Sequence, residues 1–254
     1  MMQTNQPQFQ NYGTYPDQED LEWKQANTTM EDDFSPEQQM RIGFIRKVFG
    51  ILSAQLILSA FFIVLSCSVP SFAKFQIEYP SLIIISLIAS FITIICLSCF
   101  ESLRRTVPTN YILLSIFTLC EVYSVGFICT QYSNQVVLLA GLMTAAMTIG
   151  LTIYAFTTKK DFTTMGGVLF ACLLGLILFG IACVFSRSRI INIIYCSCGV
   201  VLFGIYLIYD VQLLTGDKER SIDMDDYIYG AVAIYLDIIN IFIYLLRILG
   251  KSNE

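Results

Sequence analysis

The sequence predicts an all-α integral membrane protein with seven transmembrane helices. Of its 254 residues, 56% are hydrophobic and 14% are charged, which leaves too little polar surface to cover a soluble globule of this size. Apolar runs alternate with short polar breaks, and each run is close to the roughly 20 residues that a helix needs to cross the hydrocarbon core. The runs lack the strand-like alternation of a membrane barrel, so helices are expected.

Seven spans are predicted in order along the chain: 48–68, 81–100, 109–129, 136–156, 164–185, 190–212 and 226–249. Their orientation follows from the Lys and Arg residues of the short loops, which accumulate on the cytosolic side. A cytosolic N-terminus places nine of them inside: Arg41, Arg46, Lys47, Arg104, Arg105, Lys159, Lys160, Lys218 and Arg220. Five then lie outside: Lys74, Arg187, Arg189, Arg247 and Lys251. The N-terminus is therefore predicted to be cytosolic.

Two regions differ in composition. Residues 1–40 are rich in Gln, Asn, Tyr and Pro, and their only base is Lys24. With too few apolar residues to offset the entropy of ordering, they are expected to form a disordered, acidic, Gln-rich cytosolic tail. Residues 41–254 form the predicted seven-helix transmembrane domain. No basic face is present to neutralise phosphates, so nucleic acid is excluded as a partner and the lipid bilayer is expected instead.

The chain has nine cysteines and no histidine. Every cysteine lies in an apolar run, where it behaves as a small hydrophobe, and this interpretation includes the closely spaced pairs Cys96/Cys99 and Cys196/Cys198. Without histidine, nucleophiles activated by imidazole are excluded, and proton sensing must depend on carboxylates. We expect no catalytic residues, no enzymatic activity and no cofactor.

Three acids lie within predicted spans: Glu121, Asp210 and Asp237. An ionised side chain at the membrane centre costs on the order of 3 kcal/mol on insertion scales, so such residues usually face the bundle interior and mark a functional path. Asp237 belongs to a helical stripe with spacings of three and four: Gly230, Ala233, Asp237, Asn240, Tyr244 and Arg247. Asp210 ends a similar stripe of the sixth span: Asn192, Cys196, Gly199, Phe203, Tyr206 and Asp210.

The two stripes belong to antiparallel neighbours and are expected to face each other. For Gly199, Gly230 and Asn240, packing alone is the simpler interpretation, whereas packing rarely needs a carboxylate. At 1.5 Å per residue, Asp237 lies about 15 Å and Asp210 about 5 Å from the inner helix ends, so a tilt or small shift would bring them together. In the intervening loop, Asp223 is expected to cap the last helix, with Asp225 and Asp226 in its first turn.

Several motifs resemble those of the Bax-inhibitor family of transmembrane proteins. Its signature is similar to Tyr209-Asp210, then Tyr235-Leu236-Asp237-Ile238-Ile239-Asn240 and Leu245-Leu246-Arg247. Three further segments, 44–48, 117–121 and 159–162, resemble the lifeguard branch, which includes the Golgi anti-apoptotic proteins. The resemblance extends from Pro36 to the C-terminus.

The resemblance implies that six helices form two layers around the last one. It also implies inhibition of apoptosis and a calcium leak controlled by an aspartate pair, at the positions of Asp210 and Asp237. Family members use an arginine as a latch, here Arg105 or Arg104, with Arg105 preferred, and Glu121 matches a membrane-embedded acid. The implied location is the endoplasmic reticulum or Golgi, with the plasma membrane as the alternative.

The chemistry of the pair predicts a pH-sensitive Ca²⁺ leak, because two carboxylates in a low-dielectric site share a proton more readily than they both ionise. Deprotonation would add repulsion and supply oxygen ligands for the transported Ca²⁺. The expected ion pathway includes Glu121, Asn240, Tyr206 and Gly230 beside the pair. The alternative functions are a non-transporting scaffold that binds cell-death regulators of the membrane and an intramembrane aspartyl protease, which is disfavoured because Gly-x-Gly-Asp is missing at Asp237.

Overall fold

The computed structural model describes residues 35–186, 188–216 and 220–252. Most of the predicted tail, residues 1–34, lies outside the described residues. Arg187 and Lys218, which entered the orientation prediction, lie outside them as well.

The described residues form nine α-helices and no strand. The helices are α1 (Pro36–Ser68), α2 (Pro70–Glu78), α3 (Pro80–Cys99), α4 (Glu101–Arg105), α5 (Thr109–Cys129), α6 (Asn134–Thr157), α7 (Gly166–Phe185), α8 (Arg189–Thr215) and α9 (Tyr227–Ser252). Seven of them, α1, α3 and α5–α9, are long and apolar enough to cross a membrane, with a short 3₁₀ turn extending α7 at its start. The predicted fold class and its seven spans are confirmed.

Helix boundaries follow local chemistry. Pro70 and Pro80 occupy the first helical positions of α2 and α3, where proline's missing N–H is not needed and its fixed φ suits the helix. At the other end of the chain, α8 stops at Gly216, whose φ of 73° is left-handed and favours glycine. These signals place the short helix α2 in the break between the first two spans, where the sequence predicted only a polar connection.

The last helix is the most enclosed of the seven spans. In its apolar stretch 61% of the residues are buried, against 44% or less in every other span of the described residues. It packs mainly against α8, then against α6 and α5, and Tyr235 reaches Ser59 of α1 through a hydroxyl contact of 2.8 Å. Helices α3 and α7 pack on α5 and α8 instead. The central position of the last helix explains why α9 is apolar nearly all round.

Helices α8 and α9 approach each other closely at Gly199. A Cβ atom added there would lie 2.6 Å from the ring of Tyr244, closer than van der Waals contact allows. The absence of a side chain at Gly199 therefore lets the aromatic ring of α9 lie directly against the backbone of α8.

We expect the substitution Gly199→Ala to destabilise the protein by about 1–3 kcal/mol, the usual penalty for overpacking a filled contact. The measurement is thermal unfolding of the detergent-solubilised protein. The matched control is Gly175→Ala in α7, where an added Cβ has no atom within 4 Å. Because alanine favours helix over glycine, the control should be unchanged or slightly more stable. Equal stability of the two variants would contradict this account of the α8–α9 contact.

Candidate functional site

Asp210 and Asp237 face each other between α8 and α9, and their side chains lie in hydrogen-bond contact. Asp237 is only 4% exposed, and no hydrogen-bond donor of the described residues reaches its Oδ2 atom. Ionised carboxylates are acceptors only, so a hydrogen bond between two of them requires a proton. Two carboxyl groups in this arrangement can share one proton.

The register of the two helices brings the acids together. Gly230 packs against Leu214, since a Cβ at residue 230 would lie 3.4 Å from the Leu214 side chain. From that level, Asp237 is seven residues further along α9 and Asp210 four residues back along α8, or about 10 and 6 Å at 1.5 Å per residue. The remaining difference of about 4 Å is within the reach of the two side chains. The difference in depth between Asp237 and Asp210 that the sequence predicts is thus largely removed, because the first turn of α9 extends beyond the C-terminal end of α8.

The predicted pathway residues differ in their relation to the pair. Tyr206, about one turn outward on α8, interacts electrostatically with both acids. The amide of Asn240 donates to the Leu236 carbonyl of its own helix at 2.8 Å. Gly230 lies in an apolar contact whose other side is formed by Val48. Only Tyr206 adjoins the pair in this structure.

Glu121 belongs to a different polar cluster. It accepts a hydrogen bond from Ser90 of α3, and Phe117, one turn before it on α5, packs against the ring of Tyr235 of α9 at a centroid distance of 6.0 Å. Tyr235 and Asp237 are two residues apart, so they point about 200° apart around a helix with 3.6 residues per turn. Glu121 therefore lies on the opposite side of α9 from the aspartate pair, a separation that residue spacing within single spans does not reveal.

Both candidate latch arginines bind the loop before α9. Arg104 Nε lies 2.7 Å from Asp226 Oδ1, and Arg105 Nε lies 2.8 Å from the same oxygen. Arg105 also contacts Asp223 at 2.9 Å and Glu101 at 2.5 Å. We call these five side chains the inner clasp, where inner denotes the end of the bundle at which α9 begins. It joins α4 to the start of α9, and neither arginine is in contact with the aspartate pair.

The prediction that Asp223 caps α9 is wrong. The helix starts at Tyr227, and the carbonyl of Asp226, the residue before it, accepts the N–H of Gly230 at 3.0 Å. The carboxylate of Asp226 is directed to the two arginines instead of the helix N-terminus. The preference for aspartate at the N-cap position pointed to Asp223. In the structure, the guanidinium groups of α4 bind the carboxylates of this loop more strongly than a helix N-terminus would.

The contacts of Asp226 and Arg105 favour their charged forms. Partial burial by itself would raise the pKa of Asp226, but hydrogen bonds from Arg105 and Arg104 outweigh it and hold the pKa below its usual range. The hydrogen bond to Asp226 likewise raises the pKa of Arg105. A carboxyl group with a lowered folded-state pKa stabilises the protein above its unfolded pKa of about 3.9 and loses that contribution as pH falls through the folded value. The ion pair between Asp226 and Arg105 is thus charged between pH 5 and 8.

Arg41 holds the same loop from the side of α1. Its Nη1 donates to the carbonyl of Ile222 at 2.7 Å, and its Nε donates to the carbonyl of Thr215 at 3.2 Å. A guanidinium at the C-terminal end of α8 also complements the helix dipole. Sequence reasoning assigned Arg41 only to the count of cytosolic charges, because a contact over 174 positions leaves no local signal.

Comparisons with known proteins agree with this architecture. Residues 41–254 match the family model described as inhibitor of apoptosis-promoting Bax1. The chain is 33% identical over 232 residues to protein lifeguard 3 of Mus musculus and of Homo sapiens, covering 87% of this chain and 74% of each relative. It is 35% identical over 234 residues to protein lifeguard 4 of Mus musculus, covering 89% of this chain and 95% of that relative. The matched region contains the aspartate pair and all but the first residues of α1, and the chain belongs to the Bax-inhibitor family of membrane proteins.

Proposed function

We propose that this protein is a pH-sensitive Ca²⁺ leak channel of intracellular membranes, which modulates Ca²⁺ homeostasis and thereby inhibits apoptosis. The observation that carries the proposal is the hydrogen-bonded contact of Asp210 and Asp237 between the two most extensively packed spans. Carboxyl groups at membrane depth usually mark ion or proton paths. The lifeguard relatives and the family description support the anti-apoptotic part of the proposal.

The shared proton holds α8 and α9 together in the closed state. When the proton leaves, two negative charges face each other in a medium of low dielectric constant, and their repulsion favours separation of the helices. The separated carboxylates then offer oxygen ligands to Ca²⁺. Two carboxylates supply at most four of the six to eight oxygens that Ca²⁺ takes, so the ion keeps part of its hydration and leaves easily, which suits a leak rather than a storage site.

The inner clasp acts as the latch in this mechanism through Asp226. Because Arg104 and Arg105 connect α4 to the first residue before α9, a movement of α9 at its inner end must either carry α4 along or break the clasp. The ring of Tyr229 lies 5.7 Å from the guanidinium of Arg104. Tyr229 thus extends the contact between the latch and α9 into the first turn of the helix.

The variants Asp237→Asn and Asp210→Asn should abolish the pH dependence of Ca²⁺ flux. In proteoliposomes we expect the flux of the wild type to rise between pH 5 and pH 8, because deprotonation opens the pair. An asparagine cannot become negatively charged, so neither variant can develop the repulsion between two carboxylates that opens the pair, and each should give a flat profile. Flux is followed with an entrapped calcium dye.

Glu121→Gln is the matched control, since it makes the same isosteric change in the polar cluster on the other side of α9. It should retain the pH profile of the wild type. If Glu121→Gln flattened the profile as strongly as Asp237→Asn, the assignment of pH sensing to the pair would fail. A wild type that carried no Ca²⁺ at any pH would contradict the leak itself.

The variant Asp226→Asn should weaken the inner clasp, increase flux and shift the midpoint of the pH profile to lower pH, because a less stable closed state opens at a higher proton concentration. Its unfolding temperature should be lower than that of the wild type by the same amount between pH 5 and 8. Below about pH 4 the difference should shrink, because the wild-type carboxylate then takes up a proton as well. Asp225→Asn, in the same loop but exposed, is the control. Unchanged flux in Asp226→Asn, or a midpoint shifted to higher pH, would contradict the role of the clasp as a latch.

Protection of cells against apoptosis should require the aspartate pair if flux is its cause. We expect the double variant Asp210→Asn/Asp237→Asn, expressed at the level of the wild type, to lose protection against a death stimulus. The readout is cell survival together with the Ca²⁺ content of internal stores. Full protection by the double variant would favour the scaffold alternative, in which binding of cell-death regulators is sufficient.

A further inference from the structure

Aromatic rings fill the space between α7, α8 and α9 on the outer side of the aspartate pair. Four successive pairs of rings connect the pair to the outer helix ends, with centroid distances as follows: Tyr206–Phe203 5.9 Å, Phe203–Tyr244 5.9 Å, Tyr244–Tyr195 5.6 Å and Tyr195–Phe179 5.5 Å. All lie in the range in which aromatic pairs attract each other. We call these five residues the outer aromatic cluster.

Tyr195 and Tyr244 close the outer end of this cluster. Their hydroxyl oxygens are 3.1 Å apart, which joins α8 to α9 by a hydrogen bond. The guanidinium of Arg247 lies 5.6 Å from the centre of the Tyr195 ring, and it donates to Asn192 Oδ1 at 3.5 Å. A cation over a ring face is attracted by the quadrupole of the ring. Near their outer ends, α8 and α9 are therefore joined by side chains that interact through a hydrogen bond and a cation–π contact.

Glycines provide the space that both tyrosines occupy. A Cβ at Gly199 would lie 2.6 Å from the Tyr244 ring, and one at Gly180 would lie 2.8 Å from the Tyr195 hydroxyl. The rings of Tyr244 and Tyr195 thus occupy the space between neighbouring helices that would otherwise be in direct contact. Because side chains rather than backbone fill this space, a change of rotamer can open it without moving the helices apart.

The contacts of α9 on its other side have a different chemistry. Towards α1 and α6, the outer half of α9 itself contributes Ile238, Ile239 and Phe242, and the hydroxyls on that side belong to the neighbouring helices: Ser59, Thr144 and Thr148. Towards α8 it presents Tyr244 and Arg247, opposite Tyr195 and Asn192. On the side that faces α8, α9 and its neighbour thus both contribute polar side chains outward from the aspartate pair.

We propose that the outer aromatic cluster is an outer gate for a partly hydrated divalent cation, in series with the aspartate pair. This inference rests on the proposed leak function. An ion that has passed the pair must displace the rings of Phe203 and Tyr244 and break the hydrogen bond between Tyr244 and Tyr195. Tyrosine hydroxyls and ring faces then line its way, and both tolerate a cation. The pair sets the response to pH, and the outer aromatic cluster lowers the flux at every pH.

The flux test compares Tyr244→Phe, Tyr244→Ala and the wild type in proteoliposomes. Tyr244→Phe removes only the hydroxyl contact and should increase flux modestly, whereas Tyr244→Ala removes the ring and should increase it several-fold. Both should retain the pH profile, because Asp210 and Asp237 are unchanged. The control Phe170→Ala removes a ring from the exposed side of α7, where it is 59% exposed, and should leave flux unaltered. Unaltered flux in Tyr244→Ala would overturn the gate.

A second readout does not depend on flux. Cys196 follows Tyr195 on α8 and is 1% exposed, so a water-soluble thiosulfonate should modify it slowly in the wild type and much faster in Tyr244→Ala. Modification is measured for each cysteine by mass spectrometry. Cys198 is exposed on the outside of the bundle, in the region that lipid covers, and should react equally in both proteins.

The two readouts separate the gate from the leak. Equal reactivity of Cys196 and equal flux in Tyr244→Ala and the wild type would reject the outer gate while leaving the leak function intact, provided that Asp237→Asn still changes the pH profile. Faster modification of Cys196 without Ca²⁺ flux in any variant would reject the leak function and support the aromatic closure, because the reagent needs only water to enter. Faster modification of Cys129 as well, which is fully buried in a different part of the core, would indicate general loosening of the bundle and count against a local gate.

Discussion

The contact between Asp210 and Asp237 places the strongest physical constraint on this molecule. Two acids that meet at membrane depth must share a proton or repel each other, and the residues around them determine which outcome prevails. Asp237 is almost fully enclosed because α9 is the central helix, so water cannot screen a second negative charge. The position of the last helix, more than any single neighbouring residue, therefore supports the proposal that the two acids share a proton.

The two ends of the α8–α9 interface are closed by different interactions. At the inner end the inner clasp uses full charges, which suit a region where water and loops are present. At the outer end the outer aromatic cluster uses rings and one hydroxyl pair, which need no compensating charge within the hydrocarbon layer. Since Asp226 and Arg105 remain charged between pH 5 and 8, the proposed pH response is assigned to the pair, and the two ends restrain it.

The separate cluster around Glu121 shows that acidic residues within membrane spans do not form one site merely because they are of the same type. Glu121, Asp210 and Asp237 all satisfy the same sequence criterion, a carboxylate in an apolar span. In the folded chain α9 separates Glu121 from the other two acids, with Tyr235 directed to one side and Asp237 to the other. Residues two positions apart on a helix point to opposite sides of the bundle. Acids of one bundle therefore need not lie on the same ion path.

The sequence by itself determined the seven spans, because about 20 consecutive apolar residues can satisfy their backbone in lipid only as a helix. It also determined that the stripes ending in Asp210 and passing through Asp237 face each other, because helical periodicity places residues three and four apart on one side. The tertiary structure alone decided that Arg104 and Arg105 bind Asp226, that Arg41 holds the loop after α8, and that Glu121 lies apart. These contacts depend on helix register and loop path, which join residues far apart in the chain and leave no periodic pattern in the sequence.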